Sequence, residues 1–280
     1  MTARQLKRAV HTKFENQAKE RFFTEKALLS ALFEKNGLDR NLPLLAPDTE
    51  LGEALTETVL SDADSLLSGL PIQYYLGTEF FFGEEFLVRP GVLIPRPETE
   101  KLVELAAEYA PKGSCVFDFC CGSGCVGISL LLKRQDLFCI SFDISPEALA
   151  LTRENRDRFS LQSRLRVESL DVLSPLAKET ILREAPSLVL SNPPYLTEEE
   201  MKALPENVAR EPALALFGGD DGLCFYRRFL ELFQSCGTPF ICEMGSAQKE
   251  GIEALCRKLG VTPSFYRDDA GLWRGFSLGI

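Results

Sequence analysis

The fold of this chain is decided by the stretch Val116-Phe117-Asp118-Phe119-Cys120-Cys121-Gly122-Ser123-Gly124. Its first four residues have the character of a buried strand, and the small residues after them predict a tight turn at the start of a helix. Small residues let the backbone approach a ligand, and the N–H groups at a helix N-terminus can bind its polar groups. The stretch therefore predicts a ligand site, although the same strand, turn and helix also occur without a ligand.

Strands and helices alternate after this turn. Helical patterns include 146–159 and 223–234, and strands are predicted at 115–119, 139–143, 165–168, 187–191 and 239–243. This alternation predicts an α/β fold in which helices cover both faces of a mostly parallel sheet. In such a sheet, ligands bind outside the carboxyl ends of the strands, where the turn lies.

The N-terminal third has a different texture. In residues 1–70 the apolar side chains recur at helical spacing, which predicts a small helical-bundle domain. Residues 71–95 are aromatic and β-branched with interspersed glycine and proline, which predicts a β-hairpin linker before the main domain at 96–280. Residues 1–35 hold eight basic and four acidic side chains, which suits either a docking surface or a solvated helix face.

Composition disfavours several classes of protein. The net charge of -10 over 280 residues opposes attraction to a phosphate backbone, so no nucleic-acid substrate is expected. His11 is the single histidine, which leaves little material for Ser-His-Asp hydrolysis or histidine-based metal catalysis. Cys120, Cys121 and Cys125 lack the paired spacing of zinc ligands, so no metal is expected either. Nine cysteines and no apolar run of ~20 residues favour a cytoplasmic protein without a membrane partner, and we expect a monomer.

A carboxylate after the next strand indicates what the turn binds. Asp143 stands 25 positions after Asp118, where its oxygens can accept hydrogen bonds from both hydroxyls of a ribose. Asp171-Val172 follows the third strand and is placed to border an adenine ring. A nicotinamide cofactor is disfavoured, because Cys120 stands where G-x-G-x-x-G requires its first glycine.

The motif Asn192-Pro193-Pro194-Tyr195 follows another buried strand at the same edge of the predicted sheet. Its prolines end the strand and remove two backbone donors, so carbonyls there are available to a ligand. A carboxamide or exocyclic amine is a poor nucleophile, because its lone pair is delocalised. The Asn192 side-chain oxygen and a carbonyl near Pro193 can accept hydrogen bonds from the N–H groups of such a nitrogen. These two bonds orient the nitrogen towards a methyl donor, and Tyr195 lies against the planar group that carries it. These four residues are the predicted catalytic and substrate-binding residues.

The order of several motifs resembles the HemK/PrmC family, the peptide chain release factor N5-glutamine methyltransferases. The resemblance covers about residues 70 to 280. It is carried by Ile94-Pro95-Arg96-Pro97-Glu98-Thr99-Glu100, the turn from Asp118 to Gly124, Asp143, Asn192 to Tyr195, Glu211-Pro212, Gly218-Gly219-Asp220-Asp221-Gly222-Leu223 with Tyr226-Arg227, and Glu243-Met244-Gly245.

This resemblance implies a class I (Rossmann-like) seven-stranded methyltransferase sheet and an N-terminal helical domain that contributes to substrate recognition. It implies S-adenosyl-L-methionine as methyl donor and S-adenosyl-L-homocysteine as product. The implied substrate is the glutamine of the Gly-Gly-Gln motif in class I release factors of the bacterial type, so that the enzyme modulates translation termination.

Site residues carry over by position. Arg96 is expected at the substrate mouth, and Asp171 joins the cofactor set through its place after the third strand. The other expected cofactor-binding residues are Cys120, Cys121, Gly122, Ser123, Gly124, Asp143, Val172 and Asn192. Family members usually have glycine where Cys120 stands and often an aromatic residue where Val172 stands.

Two alternatives stay open from the residues themselves. The Asn192 motif could hold an adenine amine equally well after base flipping, which would make the protein a nucleic-acid adenine-N6 methyltransferase. The acidic charge and the lack of a basic, aromatic segment disfavour this alternative. A catalytically idle nucleotide-binding or scaffold protein could also use the same fold, because fold alone does not fix function.

Overall fold

The computed structural model describes residues 1–16 and 23–280, so 17–22 of the basic N-terminal segment lie outside the described residues. The chain divides into two compact units, Met1–Thr78 with Leu204–Arg210, and Glu79–Ala203 with Glu211–Ile280. The helices are α1 (Ala3–Asn16), α2 (Glu25–Lys35), α3 (Leu42–Leu45), α4 (Glu53–Leu67), α5 (Ile72–Leu76), α6 (Glu100–Tyr109), α7 (Cys125–Lys133), α8 (Pro146–Arg158), α9 (Leu176–Glu184), α10 (Glu198–Lys202), α11 (Cys224–Cys236) and α12 (Lys249–Lys258). The strands are β1 (Thr78–Phe81), β2 (Glu84–Leu87), β3 (Cys115–Phe119), β4 (Phe138–Asp143), β5 (Leu165–Ser169), β6 (Leu188–Ser191), β7 (Phe240–Glu243), β8 (Ser264–Arg267) and β9 (Trp273–Leu278).

The first unit is helical, as its apolar periodicity predicts. The Thr24 side chain accepts a hydrogen bond from the Ala27 N–H and so caps the start of α2. Leu6, Val10 and Leu28 are fully buried in the apolar cluster that α1, α2 and α4 share. Leu204–Arg210 belongs to this unit although it follows α10 in the chain, an excursion that no local pattern predicts.

The segment expected to be only a hairpin linker begins with a helix. Helix α5 starts after Pro71 and ends at Leu76, and Gly77, with a φ of 87°, forms its left-handed cap. Strands β1 and β2 follow as a two-stranded sheet. Their two-residue connection is Phe82 (φ 52°) and Gly83 (φ 82°), and positive φ at both central positions is what a tight hairpin requires.

The second unit contains a seven-stranded sheet in the order β5-β4-β3-β6-β7-β9-β8, which confirms the predicted fold class. The pairs among β3 to β7 are parallel, whereas β9 pairs antiparallel with both β7 and β8. The five predicted strands are present to within a residue at each end. The apolar pattern predicts neither β8 nor β9, which are short, and Gly275 interrupts the pattern of β9.

Helices cover both faces of this sheet. Neighbouring residues of a strand point to opposite faces, and here both faces are buried. Val116 and Leu190 lie in one apolar cluster, while Phe117 and Val189 lie in another. A strand buried on both faces has a continuous apolar sequence, and for this reason the sequence predicts these strands clearly. Within residues 1–16 and 23–280, no helix is both long enough and apolar enough to cross a membrane.

Candidate active site

The turn after β3 is built from residues in the left-handed region. Cys120 has a φ of 60°, Gly122 of 56° and Gly124 of 80°, and α7 begins directly afterwards. The Cys121 N–H donates to the Phe142 carbonyl at 3.0 Å, which ties the turn to the end of β4. A non-glycine residue in this conformation costs roughly 1–2 kcal/mol, so Cys120 is held there by its surroundings.

Asp143 closes the turn from the neighbouring strand. Its Oδ2 accepts the Gly122 N–H at 2.9 Å, and its Oδ1 accepts the Ser145 N–H at 3.0 Å. Burial raises the pKa of this carboxyl, and these backbone donors oppose the rise. Each carboxylate oxygen has a further lone pair, so both can still accept hydrogen bonds from ligand hydroxyls.

Asp118 supports the turn from below. Its carboxylate is buried and accepts the Gly127 N–H and the Ser141 hydroxyl, both at 3.2 Å. Burial raises the pKa of Asp118 to about 7. A side chain at position 127 would place its Cβ 3.0 Å from the Asp118 carboxylate, so glycine lets α7 approach β3 closely.

A cavity of about 720 Å³ opens at this edge of the sheet. That volume lies in the range of small-molecule sites. Among the residues expected in the site, Gly124, Pro193 and Tyr195 are not part of its lining. Those that do line it are Arg96, Cys120, Cys121, Gly122, Ser123, Asp143, Asp171, Val172, Asn192 and Pro194.

The loop after β5 forms the far wall of the cavity. The Asp171 Oδ1 accepts the Leu173 N–H at 2.8 Å, and Val172 is buried. Arg228 on α11 donates to the carbonyl of Val172 at 2.9 Å and to that of Ser174 at 2.7 Å. No local pattern predicts this role of Arg228, because it lies more than fifty residues from Val172 along the chain.

Asn192 is oriented by Thr99, the residue immediately before α6. Its Nδ2 donates to the Thr99 hydroxyl at 3.1 Å, which leaves Oδ1 as the acceptor of the side chain. Thr99 is buried and lines the same cavity. Since the amide nitrogen is engaged, the oxygen is the group that Asn192 can offer to an N–H donor.

Glu243 lies behind this pair at the end of β7. Its side chain is buried, and neither carboxyl oxygen has a hydrogen-bond partner among residues 1–16 and 23–280. Burial raises the pKa of Glu243 to about 7, and the nearby Thr99 hydroxyl opposes that rise. At neutral pH the carboxyl is therefore protonated to a substantial extent, which lowers the cost of its burial.

Tyr195 is not among the residues that line the cavity, whereas the sequence predicts that it lies against a planar substrate group. It packs against the apolar cluster that contains Tyr226 and Met244. Burial raises the pKa of its hydroxyl well above the ordinary value. The Tyr195 carbonyl accepts a hydrogen bond from Gln248 at 2.8 Å, so this residue contacts its surroundings through backbone and ring alike.

Arg96 forms an ion pair with Glu211 at the cavity wall. The Glu211 carboxylate is buried, and its other oxygen accepts the Ile94 N–H at 3.0 Å. Glu211 thus fixes both the backbone before Arg96 and the guanidinium itself. Glu211-Pro212 is one of the motifs that carry the family resemblance, but the sequence by itself predicts no role for Glu211.

The glycine loop at 218–222 approaches the Asn192 motif. A Cβ at Gly218 would lie 2.6 Å from the Tyr195 Cα, and one at Gly222 would lie 2.4 Å from the Tyr195 carbonyl oxygen. The Gly218 N–H donates to the Leu196 carbonyl at 2.8 Å. These glycines allow two backbones to touch.

Comparison with known proteins shows which family this chain belongs to. A model of the methyltransferase small domain matches residues 99–219. A release factor glutamine methyltransferase from Bacillus subtilis is 36% identical over 244 residues, which cover 84% of this chain and 83% of the relative. The chain belongs to the release factor glutamine methyltransferase family. The enzyme of that name from Bacteroides thetaiotaomicron is 44% identical over 171 residues, 60% of each chain.

Solved structures agree on the fold. The catalytic domain of hMettl16 superposes with a TM-score of 0.56 at 14% identity, covering 70% of this chain and 76% of that chain. At that identity the likeness concerns the sheet and its helices alone. No group of three or more His, Cys, Asp and Glu side chains with the geometry of a metal site occurs in the part of the chain that the structure describes.

Proposed function

We propose that this member of the release factor glutamine methyltransferase family transfers a methyl group from S-adenosyl-L-methionine to the side-chain amide nitrogen of the glutamine in the Gly-Gly-Gln motif of class I release factors. Its effect is to modulate translation termination. The observation that carries the proposal is the orientation of Asn192, whose Oδ1 is left as an acceptor by the Thr99 hydrogen bond at the wall of the cavity. Membership of the family supports the substrate.

The cavity residues fit the proposed cofactor. Asp143 offers two carboxylate oxygens to ribose hydroxyls, Val172 offers an apolar wall to an adenine ring, and the turn from Cys120 to Gly124 allows close approach of the backbone. When bound, S-adenosyl-L-methionine supplies an electrophilic methyl carbon.

The protein's own groups then hold the acceptor nitrogen. Asn192 Oδ1 accepts one N–H of the glutamine amide, and a carbonyl of the Pro193-Pro194 segment accepts the other. Both bonds orient the nitrogen and increase its electron density. S-adenosyl-L-methionine bound in the cavity would supply its methyl group to this nitrogen and keep the sulfur as a thioether. The nitrogen then releases one proton, to Asn192 Oδ1 or to water, so no strong base is required.

We assign recognition of the release factor to the N-terminal helical unit. Its sequence carries the positive balance of residues 1–35, in contrast to the acidic remainder of the chain. A partner in translation places the protein in the cytoplasm. Release factors are then the expected partners, and no nucleic acid is a direct substrate.

The test is methyl transfer from labelled S-adenosyl-L-methionine to recombinant release factor, with mass analysis of the Gly-Gly-Gln peptide. We expect one added methyl group on the glutamine, and none on a release factor in which that glutamine is replaced by asparagine. Parallel reactions with DNA and RNA test the adenine alternative. Label in nucleic acid alone would overturn the proposal that a release factor is the substrate. If calorimetry shows no binding of S-adenosyl-L-methionine, the proposal that the protein is a methyltransferase is overturned.

A further inference from the structure

The side chain of Gln248 joins four segments around the Asn192 motif. Its Nε2 donates to the Tyr195 carbonyl at 2.8 Å and to the Gly222 carbonyl at 3.0 Å. Its Oε1 accepts the Gly245 N–H at 2.9 Å and the Tyr226 hydroxyl at 3.1 Å. A carboxamide has two N–H donors and two acceptor lone pairs, so its hydrogen-bonding capacity is completely used.

These partners also fix which way the Gln248 amide points. Two partners are carbonyls, which can only accept, and the Gly245 N–H can only donate. A flipped amide would place a donor against a donor and its oxygen against the two carbonyls. The orientation in the structure is the one that satisfies all four groups.

The glycines around Gln248 fit this arrangement. A Cβ at Gly222 would lie 2.6 Å from the Gln248 Nε2, and a Cβ at Gly245 would lie 3.1 Å from its Oε1. Gly222 also has a φ of 69°, in the region that favours glycine. The chain is thus built to admit the Gln248 side chain between the glycine loop and the end of β7.

Gln248 does not line the cavity, whereas Asn192, Pro194 and Gly219 do. It therefore acts on the site through the segments that it holds. The two prolines between Asn192 and Tyr195 restrict the backbone, so a shift at the Tyr195 carbonyl is passed to Asn192 rather than absorbed. Thr99 holds one end of the motif, and Gln248 holds the other.

We propose that Gln248 is a positioning residue for methyl transfer, which fixes the Asn192–Tyr195 segment against the glycine loop and so sets where Asn192 meets the substrate amide. The inference rests on the function proposed above. It predicts a loss in the reaction step with little change in cofactor binding, because none of the four Gln248 partners is among the residues that line the cavity.

The test compares Gln248→Leu and Gln248→Glu with the matched control Gln234→Glu. Gln234 is on α11, where its Nε2 donates to the Leu259 carbonyl in an exposed position. With saturating release factor, we expect kcat to fall between about tenfold and a hundredfold in both Gln248 variants, because small misplacements of positioning groups have effects of that size. The Kd for S-adenosyl-L-methionine should stay within about twofold, and the control should match the wild type.

Amide hydrogen exchange provides a readout that does not depend on activity. The Leu196 N–H donates to the Leu216 carbonyl, and the Gly218 N–H to the Leu196 carbonyl, both at 2.8 Å. We expect these amides to exchange faster in Gln248→Leu and at the wild-type rate in Gln234→Glu.

Unchanged kcat in a folded Gln248→Leu protein would overturn the inference. A parallel loss of kcat, cofactor affinity and thermal stability would also overturn it, since that outcome describes a residue needed only for folding. If the wild type transfers no methyl group to release factor, the proposed function fails. The exchange measurement alone then tests whether Gln248 holds the Asn192–Tyr195 segment in place. Unchanged exchange in Gln248→Leu would overturn that role.

Discussion

The Asn192 side-chain amide donates to the Thr99 hydroxyl at 3.1 Å, across 93 positions of the chain. This bond decides which end of the Asn192 amide faces the cavity. Without an acceptor at Thr99, the amide could rotate and present N–H groups to a substrate that itself needs acceptors. A threonine at the start of α6 is therefore part of the site chemistry, although it contributes no charge and no nucleophile.

Replacing Thr99 by valine removes the hydroxyl and keeps the shape of the side chain. We expect kcat to fall by about tenfold, which corresponds to the typical worth of one hydrogen bond, while the Kd for S-adenosyl-L-methionine changes little. Thr99→Ser keeps the hydroxyl and should retain most of the wild-type kcat. Steady-state kinetics with release factor measures both variants. Equal losses in the two would show that packing rather than the hydrogen bond matters at this position.

Asn192 and Asp143 are expected to separate turnover from cofactor binding. Asn192→Ala should lower kcat by about a hundredfold or more, because it removes an acceptor aimed at the reacting group. Asp143→Ala should instead raise the Kd for S-adenosyl-L-methionine at least tenfold, because hydrogen bonds to a carboxylate are worth about 1.5–3 kcal/mol. Calorimetry and kinetics on the two variants, with the exposed Asp157→Ala as control, measure this separation. Equal loss of cofactor affinity in both would contradict it.

The sequence predicted the elements that are locally encoded. Strands β3, β4, β6 and β7 are buried on both faces and are therefore nearly continuous apolar runs, whereas β5 alternates and buries only Leu165 and Val167. The polar groups at their carboxyl ends were then brought to one edge by the parallel order of the sheet, and the cavity lies there. Whether these residues act as expected stays a prediction.

The contacts that orient the site residues could not be predicted from local sequence patterns. Thr99 and Gln248 are 93 and 53 positions from their partners in the Asn192 motif, and Arg228 is 56 positions from Val172. Each is an ordinary polar residue at a helix start or on a helix, where many such residues are merely solvated. The packing of Tyr195 against an apolar cluster is beyond local pattern for a similar reason, because that cluster comes from distant strands and helices.

Gly218→Ala tests the close approach of the glycine loop to the motif. The new Cβ would lie 2.6 Å from the Tyr195 Cα and 2.8 Å from the Pro194 carbonyl oxygen, and backbone atoms cannot rotate away. We expect the free energy of unfolding to fall by about 1–3 kcal/mol and kcat to fall with it. Gly52→Ala is a matched control, since nothing lies within 4 Å of its Cβ position, and it should change stability by less than about 1 kcal/mol. If urea unfolding shows equal and small losses of stability in both variants, the glycine loop can move to accommodate the added methyl group.

Two buried acids should make stability fall as the pH rises towards neutrality. Burial raises the pKa of Asp118 and of Glu243 to about 7 in the folded protein, from ordinary values of 3.8 and 4.5. Between these limits the folded state binds more protons than the unfolded state, so the free energy of unfolding decreases with increasing pH. The stabilisation is fully present below about pH 4, and it is lost as the pH passes through about 7. Each group contributes on the order of 3 kcal/mol to the change.

Amide variants identify the source of this slope. Asp118→Asn can still accept the Gly127 N–H and the Ser141 hydroxyl with its side-chain oxygen, and Glu243→Gln removes the second ionisation. Each single variant should flatten the dependence of unfolding free energy on pH between about 5 and 8, and the double variant should flatten it further, because the two ionisations are lost separately. Urea titrations at several pH values provide the measurement. Carboxyls with lowered pKa, such as Asp221, act below this window with the opposite sign, so they do not obscure it. A wild-type slope that survives in the double variant would show that other groups control the stability of the site.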